Sequence, residues 1–235
     1  MPQPQTSDGT RAVLREGMRE RAYGQNYRPT LIDRFGVWLS GRQIRRYTGS
    51  MTGKRIGDFG CGYNAEFVRT VLPVIERAVL VDSALAADLK AAPNVTAIEG
   101  TLPQVLDQVP SSSLDIVLCI SVLEHLWEPL AVLEHCLRIA RPEGICVFNV
   151  PSWRGKKFLE YSAFRLGLSP KDEMDDHKAY YDVKDLWPLL VRAGFLPSRI
   201  RCFSHKFGFN TFAVCSPSPS GRGCRGAAGE GAGEC

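Results

Sequence analysis

The sequence lacks the long apolar runs and paired cysteines that mark membrane-spanning and disulfide-rich proteins. No apolar run reaches the roughly 18 residues that suggest a membrane-spanning helix, and the polar N-terminus has no apolar core of a secretory signal. None of the eight cysteines forms a Cys-x-x-Cys pair, so neither disulfides nor cysteine-bound metal is expected. Cys119, Cys146 and Cys215 lie within apolar runs, as buried thiols do in a reducing compartment. These absences predict a cytoplasmic protein.

Charge is distributed unevenly along the chain. Residues 1–57 contain eleven Arg and Lys against four Asp and Glu, whereas the whole chain has a net charge of only +4. A basic segment can favour an anionic substrate, a membrane surface or nucleic acid. The simpler interpretation is a solvated helix face with Arg42, Arg45 and Arg46 pointing outward.

Short apolar runs alternate with amphipathic stretches from Lys54 onward. Such alternation indicates parallel strands joined by crossover helices, and therefore an α/β sheet covered on both faces. A later helix is predicted from Asp182 to Ala193-Gly194, with Pro188 inside it. The strands are predicted at 55–60, 78–82, 94–100, 114–121, 144–150, 199–203 and 209–215.

The composition divides the chain into a central domain and flanking segments. Residues 1–50 are predicted to be a helical segment that contributes to the site of the acceptor substrate, and residues 51–215 the main domain. The mixed, charged and aromatic stretch 152–181 is longer than a simple connection needs, which is typical of a lid or binding loop. Residues 216–235 are a low-complexity tail without apolar periodicity, so we expect disorder there.

The helical pattern of the N-terminal segment covers residues 11–50. Leu31, Phe35 and Leu39 recur at the spacing of one helix face. This spacing predicts that the segment is mostly helical.

A glycine-rich turn follows the first predicted strand. Gly60 and Gly62 would let a ligand approach the backbone where side chains would block it. Asp82 ends the next strand, 22 residues after Gly60, which is about the spacing at which an acid accepts hydrogen bonds from ribose hydroxyls. Together with Ala65, the glycines also satisfy the G-x-G-x-x-G/A pattern of dinucleotide-binding enzymes. The residues therefore predict an adenosine cofactor without saying which one.

Asp58 narrows the choice of cofactor. The order Asp58-x-Gly60-x-Gly62 resembles the first motif of class I S-adenosylmethionine-dependent methyltransferases. A carboxylate this close would repel a pyrophosphate, whereas the cationic sulfonium and amino group of S-adenosylmethionine tolerate it. The resemblance covers roughly residues 50–215. It continues at Glu99-Gly100-Thr101-Leu102, Leu114–Cys119, Val122–Leu126, Arg141-Pro142-Glu143-Gly144 and His177–Phe195.

The resemblance implies a fold and a set of cofactor-binding residues. The fold is a Rossmann-like three-layer sandwich whose seven-stranded, mostly parallel sheet ends in one antiparallel strand. The residues expected to bind S-adenosyl-L-methionine are Asp58, Gly60, Cys61, Gly62, Asp82, Ser83, Gly100, Thr101, Leu102 and Ile120.

Two departures from the family pattern affect the expected site. Asn64 stands in place of the third glycine of the turn, and Asn tolerates positive φ better than most residues. Some relatives build a metal site from Glu-x-x-Glu-His, but Ser121 occupies the first of those positions here. We therefore predict no metal.

Two histidines are candidates for the catalytic base. A hydroxyl nucleophile benefits from a base with a pKa near neutrality. His177 lies in the predicted lid with Tyr180 and Tyr181 close by, and His125 lies at a predicted helix start beside the cofactor region. For each of them a structural hydrogen bond is the alternative role.

These features predict a methyltransferase that acts on a small molecule by in-line transfer. A sugar, a glycan or a lipid-linked metabolite is the expected acceptor, and the basic N-terminal segment makes an anionic acceptor a candidate. Nucleic acid is not the expected partner, because Cys119-Ile120-Ser121-Val122 lacks the Asp/Asn-Pro-Pro-aromatic motif of base methylation. An RNA methyltransferase, an NAD-dependent oxidoreductase and a non-catalytic cofactor-binding subunit remain alternatives.

Overall fold

The computed structural model describes residues 22–25, 31–157 and 177–217. Most of the predicted lid and nearly all of the predicted disordered tail lie outside these residues, as does the N-terminal part of the predicted helical segment. The domain boundaries therefore stay predictions.

The described chain forms one seven-stranded sheet in the order β3-β2-β1-β4-β5-β7-β6. Six strands run in one direction, and β7 pairs antiparallel with both β5 and β6. The C-terminal ends of the six strands therefore meet at one end of the sheet, which is called the carboxyl end below. The strands are β1 (Arg55–Phe59), β2 (Arg77–Asp82), β3 (Val95–Glu99), β4 (Leu114–Ile120), β5 (Ala140–Pro151), β6 (Ile200–His205) and β7 (Asn210–Cys215).

Helices cover both faces of this sheet. The helices are α1 (Leu31–Thr48), α2 (Glu66–Arg69), α3 (Ala87–Ala91), α4 (Pro129–Ile139) and α5 (Val183–Arg192). One apolar core joins α1, α2 and α3 to the sheet through Ile44, Val68 and Leu89. A second core joins α4 and α5 to the opposite face through Leu133 and Leu186. The predicted Rossmann-like three-layer sandwich is confirmed.

The inward face of α1 is marked by buried Ser40 and Ile44. Phe35 is 53% exposed and stacks on the exposed Trp38. Small residues allow α1 to pack closely, since a methyl group on Gly41 would already lie 3.3 Å from the Phe67 ring. Helical spacing alone does not show which face of a helix packs on the sheet.

The segment after β4 also differs from its prediction. Residues Leu123–His125 form a 3-10 turn, and the α-helix begins only at Pro129. Proline fits the first turn of a helix, because its missing N–H would have no intrahelical partner there. The predicted start at 122–126 therefore came too early.

The helix after the predicted lid agrees with its sequence signals. The α5 helix begins after Asp182, whose backbone N–H donates to Asp185 Oδ2 at 3.0 Å, and it ends before Ala193. Pro188 lies inside it. The two strands predicted at 199–203 and 209–215 are present as β6 and β7, which form a hairpin around the turn Lys206–Gly208.

The described cysteines are all free thiols, which agrees with the absence of paired motifs. Cys119, Cys146 and Cys215 are buried in strands as predicted. Within the described residues, no helix combines the length and the apolar character needed to cross a bilayer.

Candidate active site

The glycine turn lies where the strand order reverses, between β1 and β4. In open α/β sheets this switch point is where ligands bind, outside the carboxyl ends of the strands. Gly60 and Gly62 have φ of 77° and 73°, a left-handed conformation that costs glycine nothing. A methyl group on Gly60 would lie 2.3 Å from Val122 Cγ2. The turn is therefore packed against Val122 at Gly60, and at Gly62 a methyl group would lie 3.1 Å from the Tyr23 carbonyl oxygen.

Asp82 holds the glycine turn from the end of the neighbouring strand. Its Oδ2 accepts a hydrogen bond from Gly62 N at 2.7 Å, and its Oδ1 accepts one from Ser83 N at 2.7 Å. Oδ1 also accepts from Ser83 Oγ at 3.2 Å, so the second lone pair of Oδ2 is the one that can accept from a ribose hydroxyl without breaking these contacts. The structure thus brings together the predicted residues Gly62, Asp82 and Ser83.

Asp58 is a buried carboxyl group in the middle of this arrangement. No hydrogen bond to its side chain is formed within the described residues. Burial raises the pKa of Asp58 to about 7, and the nearby charge of Asp82 adds to the rise. A bound cation would favour the ionised form, whereas a pyrophosphate would be repelled. The electrostatics therefore suit a ligand that carries an amino group or a sulfonium.

Cys61 contributes a wall to the turn. Its Sγ lies 3.4 Å from the Gly62 carbonyl oxygen. Burial, followed by the charges of Asp58 and Asp82, raises the pKa of the thiol well above its usual range. Because the thiolate is the reactive form, Cys61 is suited to packing.

The third glycine position of the motif is replaced in an unexpected way. The left-handed residue is Ala65, with φ of 42°, and not Asn64. The Asn64 carbonyl accepts a hydrogen bond from Arg69 Nε at 2.7 Å, and Arg69 is also paired with Asp88. These contacts stabilise the turn although it lacks the third glycine of the family motif.

The segment after β3 lies beside Asp82. Gly100 N donates to the Asp82 carbonyl at 2.9 Å, and Glu99 Oε1 accepts from Leu85 N at 2.7 Å and from Lys90 Nζ at 3.0 Å. A methyl group on Gly100 would meet Val105 Cγ1 at 2.4 Å. Thr101 and Leu102 follow directly, and Ile120 ends β4. The predicted cofactor residues therefore line the carboxyl end from β3 to β4, and their contact with the cofactor stays a prediction.

The two candidate catalytic histidines come together. The ring centroids of His125 and His177 lie 4.8 Å apart, and His177 Nδ1 is 3.0 Å from Tyr180 Oη. Lys178 N donates to the Glu124 carbonyl at 2.7 Å. The described end of the predicted lid is thus docked onto the 3-10 turn that carries His125.

Glu124 is the least exposed charged residue of this cluster, at 1%. Its position beside both histidines makes it part of the candidate site. Glu124, His125 and His177 each offer one ligand atom, and these atoms lie within 4.8 Å of one another. Carboxylate and imidazole are ordinary ligands of divalent metals. The absence of a metal stays a prediction.

Sequence reasoning assigned no role to several polar residues at the other end of this edge. His205 is the last residue of β6, and Lys206 follows it. Asn149 is fully buried near the end of β5, and its Nδ2 lies 3.4 Å from Ser40 Oγ of α1. The available signal was position, because polar residues at the carboxyl end of a parallel strand lie where ligands bind.

The strand order, the glycine turn and the acid that ends β2 define an α/β protein of the S-adenosylmethionine-binding type. Residues 57–148 match the model of a family described as a methyltransferase domain.

Individual relatives agree with this match. A probable S-adenosylmethionine-dependent methyltransferase of Mycobacterium tuberculosis is 23% identical over 172 residues, which cover 70% of this chain and 58% of the relative. A ubiquinone biosynthesis O-methyltransferase of Neisseria meningitidis is 25% identical over 175 residues, covering 70% and 73%. An O-methyltransferase family protein from Burkholderia thailandensis has a similar fold, with a TM-score of 0.56 at 15% identity, covering 78% of this chain and 57% of that one.

These matches support the class I S-adenosylmethionine-dependent methyltransferase that the motifs indicated. The chain spans about 58% of the length of the mycobacterial relative. Neither an oxidoreductase nor an RNA methyltransferase is favoured by these matches.

Proposed function

We propose that this protein binds S-adenosylmethionine at the glycine turn and transfers the methyl group to a hydroxyl of a small molecule. The observation that carries the proposal is the buried Asp58 carboxyl group, which has no hydrogen bond within the described residues and lies beside Asp82. A ligand that binds next to two carboxylates is best served by positive charge. The names of the relatives support methyl transfer, and one of those names specifies an O-methyltransferase.

The cofactor-binding residues have separate roles in this proposal. Asp82 and Ser83 bind the ribose, and Asp58 faces the cationic part of the cofactor. The residues that border the adenine are Gly100, Thr101, Leu102 and Ile120. When bound, the cofactor supplies a methyl group on a positively charged sulfur, which is an activated carbon.

The histidine pair lies on the acceptor side of the site. His125 and His177 are placed to orient the acceptor hydroxyl and to accept its proton, while Tyr180 fixes the ring of His177 through the 3.0 Å contact. Alignment of the acceptor hydroxyl with the methyl group and exclusion of water supply much of the reduction in the activation barrier. A sugar, glycan or lipid-linked metabolite is the acceptor class that we propose.

Calorimetry with two cofactors tests this proposal. S-adenosylhomocysteine should bind to the full chain, and NAD should not. Asp58→Asn should weaken the binding of S-adenosylhomocysteine, whereas Glu143→Gln, at the exposed opposite end of the sheet, should leave it unchanged. Binding of NAD alone would contradict the proposal.

A further inference from the structure

The turn between β6 and β7 carries a lysine in an unusual position. Lys206 and Phe207 have φ of 49° and 60°. Residues other than glycine and asparagine rarely adopt this left-handed backbone conformation. Such conformations persist only where the surrounding structure enforces them, and they are concentrated at functional sites.

Neighbouring residues hold this turn firmly. Ser152 Oγ donates to the Gly208 carbonyl at 2.6 Å, and Ser152 N donates to the Phe209 carbonyl at 2.9 Å. Gly155 N donates in turn to Ser152 Oγ at 3.0 Å. The segment that begins the predicted lid therefore fixes the backbone that presents Lys206.

The ammonium group of Lys206 lies close to α1. A methyl group on Gly36 would lie 3.6 Å from Lys206 Nζ. Burial lowers the pKa of Lys206 to about 8, and the charge of Glu124 opposes this shift. The half-buried lysine therefore lies within electrostatic range of Glu124, the residue that precedes His125.

Nothing within the described part of the chain pairs with this ammonium through a hydrogen bond or an ion pair. His205, the adjacent residue, has a buried Nε2 that also has no hydrogen-bond partner. A buried polar group without a partner costs free energy unless a ligand or water satisfies it. His205 Nε2 is such a group, and the half-buried Lys206, whose ammonium has no such pairing in the described chain, follows it at the carboxyl end of β6. Together they indicate a place for a polar ligand.

We propose that Lys206, with His205 beside it, binds an anionic group of the acceptor, a carboxylate or a phosphate. The ammonium supplies the charge, and His205 Nε2 supplies a second hydrogen bond to the same group. Because the anion would be fixed at the end of β6, the rest of the acceptor would extend toward the two histidines. This inference rests on the proposed function, since it assigns the charge of the acceptor of the same site.

Titration with small anions tests the inference without knowledge of the acceptor. The full chain, saturated with S-adenosylhomocysteine and labelled with ¹⁵N at lysine and histidine, is titrated with benzoate, with inorganic phosphate and with neutral benzamide. Benzoate or phosphate should bind more tightly than benzamide and shift the His205 signals. Whichever anion binds identifies the acceptor group as a carboxylate or a phosphate.

Variants assign the binding to Lys206. Lys206→Met should raise the Kd of that anion by about tenfold or more, since a charge-assisted hydrogen bond is lost. Lys206→Arg should retain binding within a few-fold, and Lys54→Met, at the opposite end of the sheet, should match the parent. Unchanged circular dichroism and Tm would show that the variants fold.

Two results would overturn the inference. One is that neither anion binds better than benzamide, and the other is that Lys206→Met binds the anion as tightly as the parent. If S-adenosylhomocysteine itself fails to bind, the proposed function falls together with this inference. If it binds and the anions do not, only the inference fails.

Discussion

The two halves of the carboxyl end are built differently. Around β1 and β2 the backbone of the glycine turn is held by the hydrogen bonds of Asp82 with Gly62 and Ser83, and the buried Asp58 carboxyl group is the exception without a hydrogen bond within the described residues. Around β5, β6 and β7 two buried polar atoms of the described residues have no hydrogen-bond partner, His205 Nε2 and Asn149 Oδ1. The first half therefore has its turn fixed before a ligand binds, whereas the second needs a ligand to complete its hydrogen bonds. Such a difference suits a first half that binds the cofactor shared by the family and a second half that binds an acceptor particular to this protein.

The largest effect is expected at Asp82. Asp82→Ala removes the proposed ribose acceptor and leaves Gly62 N without its 2.7 Å partner, so the Kd of S-adenosylhomocysteine should rise by about 100-fold. Calorimetry measures this value, with Glu143→Gln as the control. Substitution of Gly60 is a less specific test, because any side chain there would meet Val122. Parent-like affinity in Asp82→Ala would show that the ribose lies elsewhere.

A pH series sharpens the role of Asp58. Its pKa is raised to about 7, so below that pH the site must lose a proton before it binds a cation. The affinity for S-adenosylhomocysteine should therefore fall by about tenfold per pH unit below 7 and level off above it. Asp58→Asn should bind more weakly at pH 8 and lose this dependence.

The same substitution gives an independent prediction for stability. A carboxyl group whose pKa is higher in the folded than in the unfolded protein lowers the free energy of unfolding as the pH rises from about 4 to about 7. The unliganded Asp58→Asn variant should therefore have a higher Tm than the parent at pH 8, and the difference should shrink at pH 5. Thermal unfolding at both pH values measures this difference. An equal difference at the two pH values would argue against a neutral Asp58 in the free protein.

A substitution of His177 tests whether the histidine pair serves catalysis and not cofactor binding. His177→Asn should lower kcat by about 100-fold while the Kd of S-adenosylhomocysteine stays unchanged, because general-base catalysis contributes about 10² or more. His135→Asn, on α4, is the matched control and should retain activity. The assay measures S-adenosylhomocysteine released with an accepted substrate. A full kcat in His177→Asn would reduce this histidine to a structural role.

The cofactor half could be predicted from the sequence because its residues form one local pattern. Asp58, Gly60 and Gly62 are contiguous with β1, and Asp82 follows at a fixed distance, so strand periodicity and spacing locate all four. The helical layers on both faces of the sheet follow from the alternation of strands and helices, whereas the seven strands with one antiparallel followed from the family resemblance.

The acceptor half could be predicted only in part. His125 and His177 were nominated separately, but only the folded chain shows that their rings lie 4.8 Å apart. Lys206 was missed because its importance arises from a left-handed turn and from its approach to Gly36, which no local pattern encodes. The exposed position of Phe35 could not be read from the sequence either, since the packing of α1 is set by contacts with distant strands.

A crystal structure of the full chain grown with S-adenosylhomocysteine tests the central claim most directly. The account predicts the ligand over the turn at 58–62, with its ribose hydroxyls on the Asp82 carboxylate and its amino group toward Asp58. A ligand bound elsewhere, or one whose amino group points away from Asp58, would contradict it.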